Sequence, residues 1–495
     1  MAATQHSHTA APIATTLDGV TSQTESTTAS AGPSQSLERG LTHGQMAMIA
    51  MGSALGTGLF LGSGAAIGVA GPGVIITYAI GALIAACIAA CMGEMASRYP
   101  ARGGFGTMAS HFLTPFWGYL VRWCYWFVTV AVTGSELVAV AKYLTFWWPQ
   151  VPVWLGIVVF AALILTLNLV SVKSFGIVEF VLSSIKVIAV VVFIFIGVLL
   201  IVFGLPGQEP AGVANLVNDG GFLPNGFSAV WVALSIVMFS FGGIELISVT
   251  AAEAKDPGRS VRTAARSTMV RLALFYVAAI TIIVCLVPWQ TAAQGRDVEH
   301  SPFVLVFEQI GIPAAAGVTN FIVLIAALSA ANANLYAGGR LLHSLAADRM
   351  APAPLARTSA HHVPRRAVLV SSVGIIAAAA MAATGVGNVF IIMISIVTFV
   401  VLVVWALILV TYIAYWRRRD DRAPFQVWGG PYTAAAGLVG VAAVFATVIV
   451  VPDMQLAAAV GLPFIAVLTI AYFAVIRGRI RPGAAEEAMA ESEAV

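Results

Sequence analysis

The sequence predicts an all-α polytopic membrane protein of 12 transmembrane helices, built as an inverted five-helix repeat with helices 1 and 6 broken. Three observations predict it. Of 495 residues, 59% are hydrophobic and 9% charged, where soluble domains carry about 25% charged residues. Twelve apolar stretches approach the ~20 residues a helix needs to cross a bilayer. Two of these, five spans apart and opposite in direction, are interrupted by glycines. Such a pair points to an inverted-repeat transporter with its site at the breaks.

Residues 1–38 are rich in Thr, Ser, Ala and His and contain no apolar run, so they read as a disordered cytoplasmic tail. They lack the basic and apolar regions of a signal peptide. The spans fall at about 46–69, 73–97, 115–146, 153–170, 179–203, 227–252, 268–289, 314–339, 367–385, 389–415, 434–451 and 456–476. The polar joint Gly385–Asn388 makes the ninth and tenth a tight hairpin. A ten-helix core over 39–415 thus divides into repeats at about 46–203 and 227–415. Two additional helices at 434–476 and a cytoplasmic tail at 477–495 follow. Basic residues set the orientation. With the N-terminus inside, the inner segments take Arg98, Arg102, Lys173 and the clusters Lys255–Arg266, Arg340–Arg366, Arg417–Arg422 and Arg477–Arg481; the outer side takes Arg296 and Lys142. Both termini are therefore expected inside.

The first span holds five glycines in thirteen residues, Gly52, Gly56, Gly58, Gly62 and Gly64, each costing roughly 1 kcal/mol of helix stability relative to Ala. The expected result is a break around Ala54–Gly58. The second half would then begin with free N–H groups at Thr57 and Gly58, at the positive end of a helix dipole, where a carboxylate is attracted. A Gly-rich face for close helix packing is the alternative. In the sixth span, Phe239-Ser-Phe-Gly-Gly-Ile-Glu-Leu246 places Gly242 and Gly243 at mid-span with Glu245 directly after.

Ionisable residues within spans are costly and point to function, and we single out Glu94, Glu136, Lys186 and Glu245. Lys186 is expected to reach carbonyls freed by the break in span one, to carry a proton reversibly, and to fill space a sodium ion would need; snorkelling to the inner surface is the alternative. Glu245 either takes freed N–H groups and a proton or braces the broken sixth helix. Glu136 either faces the site or sits near the outer surface. Glu94 precedes Arg98 by one turn, which suits an i,i+4 pair in a gate or fold element. Glu253 is expected to join the Arg259–Arg266 cluster, as a gate or as structure. Ser329, Asn332 and Asn334 are polar in the apolar eighth span and are expected near Lys186 or the site, or in interhelix hydrogen bonds. Phe60, Trp123, Tyr125, Trp126, Phe239 and Phe241 are candidates for pocket walls, whereas Trp147, Trp148, Trp154 and Trp289 read as the interfacial belt.

The pattern also excludes function classes. There is no Walker sequence, no potassium-filter sequence and no arginine ladder. The four cysteines (Cys87, Cys91, Cys124, Cys285) lie in spans without disulfide or metal spacing. No catalytic constellation supports an enzyme, and no cofactor or metal is expected. The basic termini of the helices read as a membrane-surface feature, not a nucleic-acid site.

These stretches resemble a family. The run Gly52 to Gly64, Gly71-Pro-Gly73, Gly93-Glu-Met95, Phe175-Gly176, Glu179-Phe180 ahead of Lys186, Phe239 to Leu246, Ala251-Ala-Glu-Ala-Lys-Asp-Pro257 and Ser301-Pro-Phe303 are similar to those of the bacterial amino acid transporter family, within the amino acid–polyamine–organocation superfamily. The resemblance covers about 40–415. It implies a leucine-transporter-type fold in the bacterial cytoplasmic membrane and uptake of an amino acid with protons. It further implies that Thr57 and Gly58 take the substrate α-carboxylate. Carbonyls near Ala54, Phe239 and Gly242 would take the α-ammonium, Phe241 would gate the site, and Lys186 would replace the sodium of sodium-coupled relatives. Gly56, Ser240 and Gly243 complete the expected substrate-binding set, with Lys186, Glu245 and Glu136 for proton coupling. The Phe239–Glu245 run looks like that of permeases for neutral and aromatic substrates. Gly103-Gly-Phe-Gly-Thr107 and Ala330–Asn334 depart from the pattern and leave the side-chain pocket open. The expectation is proton-coupled uptake of an L-amino acid, neutral or aromatic/proline-like. An exchanger, a GABA or polyamine carrier, and a non-transporting sensor are the rivals, and the oligomeric state is not readable.

Overall fold

The computed structural model describes residues 40–205, 209–294, 301–309, 313–384, 389–419, 425–450 and 455–493. The tail at 1–38, Arg296, the joint at 385–388 and Arg422 lie outside the described residues. The chain is helical throughout, in the order α1 (His43–Ala54), α2 (Thr57–Phe60), α3 (Gly62–Ala70), α4 (Val74–Arg98), α5 (Phe105–Phe112), α6 (Pro115–Leu144), α7 (Val153–Val170), α8 (Val172–Phe203), α9 (Gly226–Ser240), α10 (Leu246–Thr250), α11 (Pro257–Leu286), α12 (Trp289–Gln294), α13 (Pro302–Gln309), α14 (Pro313–Ala347), α15 (Arg365–Ser371), α16 (Val373–Ala383), α17 (Val389–Arg418), α18 (Pro431–Val450), α19 (Gln455–Ala471) and α20 (Ala484–Glu493). Among the described residues, ten helical runs are long and apolar enough to cross a membrane. The one β-type pairing among them is an isolated bridge between Leu41 and Ala254.

Local chemistry sets the ends. Thr42 and Gln45 form a capping box that starts α1. The helix stops at Ala54 because Leu55 leaves the helical region and Gly56 is extended, so the path restarts at Thr57 with Gly56 as its cap. A second interruption spans Phe241–Glu245 between α9 and α10, where Gly243 sits at φ +99°, a conformation that costs a residue with a side chain. Two helices begin earlier than hydropathy places them. The Ser171 hydroxyl accepts from the Ser174 N–H to start α8 at Val172 rather than 179, and Asp256 with Pro257 starts α11 at Pro257 rather than 268. Hydropathy marks the lipid-facing part of a helix, and the capped polar turns that precede it are helical too.

The centre of the bundle is α6 and α14, whose apolar windows are 89% and 83% buried, against 17% for the run containing α19. Small residues let α6 approach α16 backbone to backbone. A Cβ added at Gly374 would run into the Val130 carbonyl, and one at Gly134 would lie 2.6 Å from the Gly374 oxygen.

Candidate functional site

The two interruptions face each other. A Cβ at Gly58 would lie 2.7 Å from the Ser240 Cα, and one at Gly243 would collide with the Ser53 hydroxyl. Between them is a small cavity with about 30 Å3 of room for water centres, enough for two or so waters at ~10–15 Å3 each. It is lined by Ser53, Ala54, Gly56 and Gly58 of the first interruption, and by Phe239, Gly242 and Gly243 of the second. Tyr125, Val128, Val132 and Glu136 of α6, Asn334 of α14, and Val397 and Val401 of α17 complete the wall. The site is shut.

The bare N-terminus of α2 has a partner. The Thr57 N–H donates to Glu136 Oε1 at 3.2 Å and the Thr57 hydroxyl donates to the same oxygen at 2.9 Å. Glu136 is therefore in the site and not near the outer surface. Its second oxygen, Oε2, is buried without a hydrogen-bond partner. The carbonyls left by α1 also have a partner. The Lys186 ammonium donates to the Gly52 carbonyl, and reaches those of Leu55 at 3.4 Å and Ala326 at 3.5 Å. Lys186 is fully buried, so it does not snorkel. The Tyr276 hydroxyl of α11 lies 2.6 Å from both the Ala54 and the Ser240 carbonyl oxygens, linking the last residue of α1 to the last residue of α9.

At the second interruption, Glu245 folds back on its own chain. Its Oε2 accepts from the Gly243 N–H at 2.8 Å and the Tyr125 hydroxyl at 3.4 Å, and its Oε1 accepts from the Trp405 indole. The brace reading of Glu245 fits this geometry. Phe241 does not line the cavity. It packs on Tyr276 and Tyr78 with ring centroids 4.8 and 6.3 Å away, against Gly81, and Phe239 supplies the aromatic wall instead. Of the other aromatic candidates Tyr125 lines the cavity. Phe60 packs on Phe303, and the indoles of Trp123 and Trp126 bond to Met350 and Ser371.

One expected pairing is corrected, and two open ones are resolved. Glu94 has Arg419 as its ion-pair partner at 2.6 Å, with the Tyr412 hydroxyl at 2.6 Å and the Val427 N–H at 2.8 Å, where spacing pointed to Arg98. Glu253 pairs with Arg340 at 3.1 Å, and in the same stretch Asp256 accepts from the Arg259 N–H at the start of the basic cluster. Ser329 and Asn332 do not turn to Lys186; both donate to Glu179, while Asn334 faces the cavity. The Glu94 correction has a plain cause: folding brings residues together across the bundle, and sequence spacing reports only neighbours on one helix.

Sequence reasoning passed over three charges inside predicted spans, the exposed Arg271 and two that are buried. Glu179 of α8, quoted only as part of a motif, is fully buried and takes donors from Ser183, Ser329 and Asn332. It stands two turns from Lys186 on the same helix face. Arg122 of α6 is buried and binds Asp348 at 2.5 Å, with Arg102 at 3.6 Å from the other oxygen. Both fall inside predicted spans, so their position alone was the available signal. The Arg122–Asp348 and Arg340–Glu253 pairs close one end of the bundle. There the Leu41 N–H also donates to the Glu253 carbonyl, and the Lys255 N–H to that of Leu41.

A polytopic helical bundle with two facing helix interruptions around a closed cavity, each held by buried charge, is the build of a membrane transport protein. Residues 45–481 match the family described as amino acid permease, and the chain belongs to it. It is 36% identical over 445 residues to an uncharacterized amino acid permease, YtnA, of Bacillus subtilis, covering 89% of this chain and 95% of that one. It is 34% identical over 441 residues to a probable threonine/serine transporter, YbxG, of the same organism, covering 88% and 95%. It is 38% identical over 388 residues to the aromatic amino acid transport protein AroP of Escherichia coli, covering 78% of this chain and 84% of that one. These relatives are transporters and not enzymes.

Proposed function

We propose that the protein takes up a neutral L-amino acid with an apolar or aromatic side chain, coupled to protons, by alternating access across the bacterial cytoplasmic membrane. In this reading the chain crosses the membrane twelve times with both termini inside, and the first and sixth crossings are the interrupted ones. The five-helix repeats run over about 46–203 and 227–415. The observation that carries it is the pairing of both sides of the first interruption with ionisable groups from other helices, Lys186 on its carbonyls and Glu136 on the Thr57 N–H.

A carboxylate bound at the N–H groups of Thr57 and Gly58 is the anion a half-helix start favours. The substrate α-carboxylate is given that place, taking over the Thr57 N–H that Glu136 holds in the closed site, and its ammonium faces the carbonyls at Ala54 and Gly242. Glu136 and Lys186 exchange protons as the site fills. Support for an apolar side chain comes from the wall of Val128, Val132, Val397, Val401 and Phe239, on which a charged side chain would find no solvation. The same wall weighs toward the aromatic transporter among the relatives rather than the threonine/serine one. Glu94 and Glu253 act as gate elements at the inner end.

The test is uptake of a labelled amino-acid panel into proteoliposomes with an inward proton gradient and no sodium. Uptake of aromatic and branched substrates that collapses with the gradient is expected. Gradient-independent counterflow would replace this reading with exchange, and tight binding without uptake would replace it with a sensor.

A further inference from the structure

The helix α11 carries Arg259, Arg262, Arg266 and Arg271 and no acidic residue over Pro257–Leu286. Arginines buried or half-buried in the bundle are matched: Arg122 and Arg102 with Asp348, Arg340 with Glu253, Arg419 with Glu94. Among the described residues no carboxylate forms an ion pair with Arg262, Arg266 or Arg271. These three, with Thr263, Ser267 and Val270, line an open groove of about 440 Å3. At 3.6 residues per turn, Arg262 and Arg266 stand on one side of the line from Thr263 to Val270, and Arg271 stands on the other. The arginine stems are the walls and Val270 is the floor. Val270 is 68% exposed and Leu274, one turn further into the apolar part of the helix, 60% exposed, so the groove runs out onto bare hydrocarbon surface. The Arg266 guanidinium lies over the Phe425 ring at 5.2 Å, and Arg271 Nη1 reaches the Met51 sulfur of α1 at 3.6 Å.

We propose that this groove binds the headgroup of an anionic phospholipid. Guanidinium forks match phosphate oxygens two at a time, and the exposed Thr263 hydroxyl adds a donor. The exposed Val270 and Leu274 side chains take the start of an acyl chain, which a free phosphate ion does not have. Basic pockets on the inner side of membrane helices hold such headgroups. The bound lipid sits on the helix that presents Tyr276 to the ends of α1 and α9, and Arg271 touches α1 itself. Occupancy therefore stiffens the frame of the site.

Native mass spectrometry of the full-length protein, released from micelles with added phosphatidylglycerol or phosphatidylcholine, tests it. Phosphatidylglycerol is expected to stay bound and phosphatidylcholine to leave. The R262Q/R266Q/R271Q variant is expected to hold phosphatidylglycerol about a hundredfold more weakly. R477Q/R479Q, a similar loss of charge placed on the tail, is expected to bind like the wild type. Millimolar inorganic phosphate is expected not to displace the lipid. Equal retention of both lipids, unchanged affinity in the triple variant, or full displacement by inorganic phosphate overturns the proposal, the last assigning the groove to a free anion. If the triple variant does not fold, R262Q and R271Q decide singly. About fivefold weaker binding is expected in each, and unchanged binding in both overturns the site.

Discussion

The two helix interruptions look alike in sequence and are held in different ways. At Leu55–Gly56 the freed groups are taken by charged side chains from distant helices, Lys186 of α8 on the carbonyls and Glu136 of α6 on the Thr57 N–H. At Phe241–Glu245 the chain serves itself, with Glu245 bonded to the Gly243 N–H and fixed by the neutral donors Trp405 and Tyr125. A break held by ionisable groups on other helices can be released by moving one proton. A break held by its own carboxylate and by a turn that only glycine tolerates is a fixed corner. The first is the moving part of the site and the second its reference frame.

The largest effect that would break this contrast is expected at Lys186. Lys186→Ala leaves the carbonyls of Gly52, Leu55 and Ala326 without their donor and strands buried carboxylates nearby. Removing one member of a buried charge set costs about 3–5 kcal/mol. Proteoliposome uptake should fall to background, and retained uptake would take Lys186 out of the mechanism. Next is Gly243→Ala, which forces a side chain into φ +99° and onto Ser53. A loss of about 1–3 kcal/mol is expected, read as a lower unfolding temperature in detergent. An unchanged midpoint would mean that the corner is not fixed.

The contrast is sharpest between two isosteric substitutions. Glu136→Gln should flatten the dependence of uptake on the proton gradient while leaving the unfolding temperature near that of the wild type. Glu245→Gln should do the reverse: it puts an amide N–H₂ where Trp405 or Gly243 donates, at about 1–3 kcal/mol of stability, and keeps the gradient dependence. If the two variants behave alike, the two breaks do not have separate roles. The smallest effect is expected for Tyr276→Phe, about 1 kcal/mol for one hydrogen bond, visible as a shift of about 1 °C in the same melt.

The glycines made both interruptions legible, because five in thirteen residues and a Gly-Gly pair at mid-span are hard to reconcile with an unbroken helix. Lys186 and Glu136 were legible as charges too costly to bury without purpose. Their partners were partly so: the carbonyls for Lys186 followed from the break, but the bond from Thr57 to Glu136, 79 positions away, did not. The errors share a cause. Arg98 is one turn from Glu94 and Arg419 is 325 positions away, yet the bundle brings Arg419 to the carboxylate. The resemblance implied a gate at Phe241, but its ring packs at Gly81 and Tyr276, and Phe239 faces the cavity. Hydropathy gave the lipid-facing lengths of α8 and α11 and could not see the capped turns at their starts. The family resemblance, by contrast, was carried by short runs, and the match over 45–481 bears it out.

The Tyr276 hydroxyl has one hydrogen to give and two carbonyls within 2.6 Å to receive it. A phenol donates once, so at any instant one helix end holds the bond while the other waits. Handing the hydrogen from Ala54 to Ser240 breaks one bond as it makes the other, at no net loss. The contact thus works as a bearing: one half of the mechanism can turn against the other without the joint coming apart.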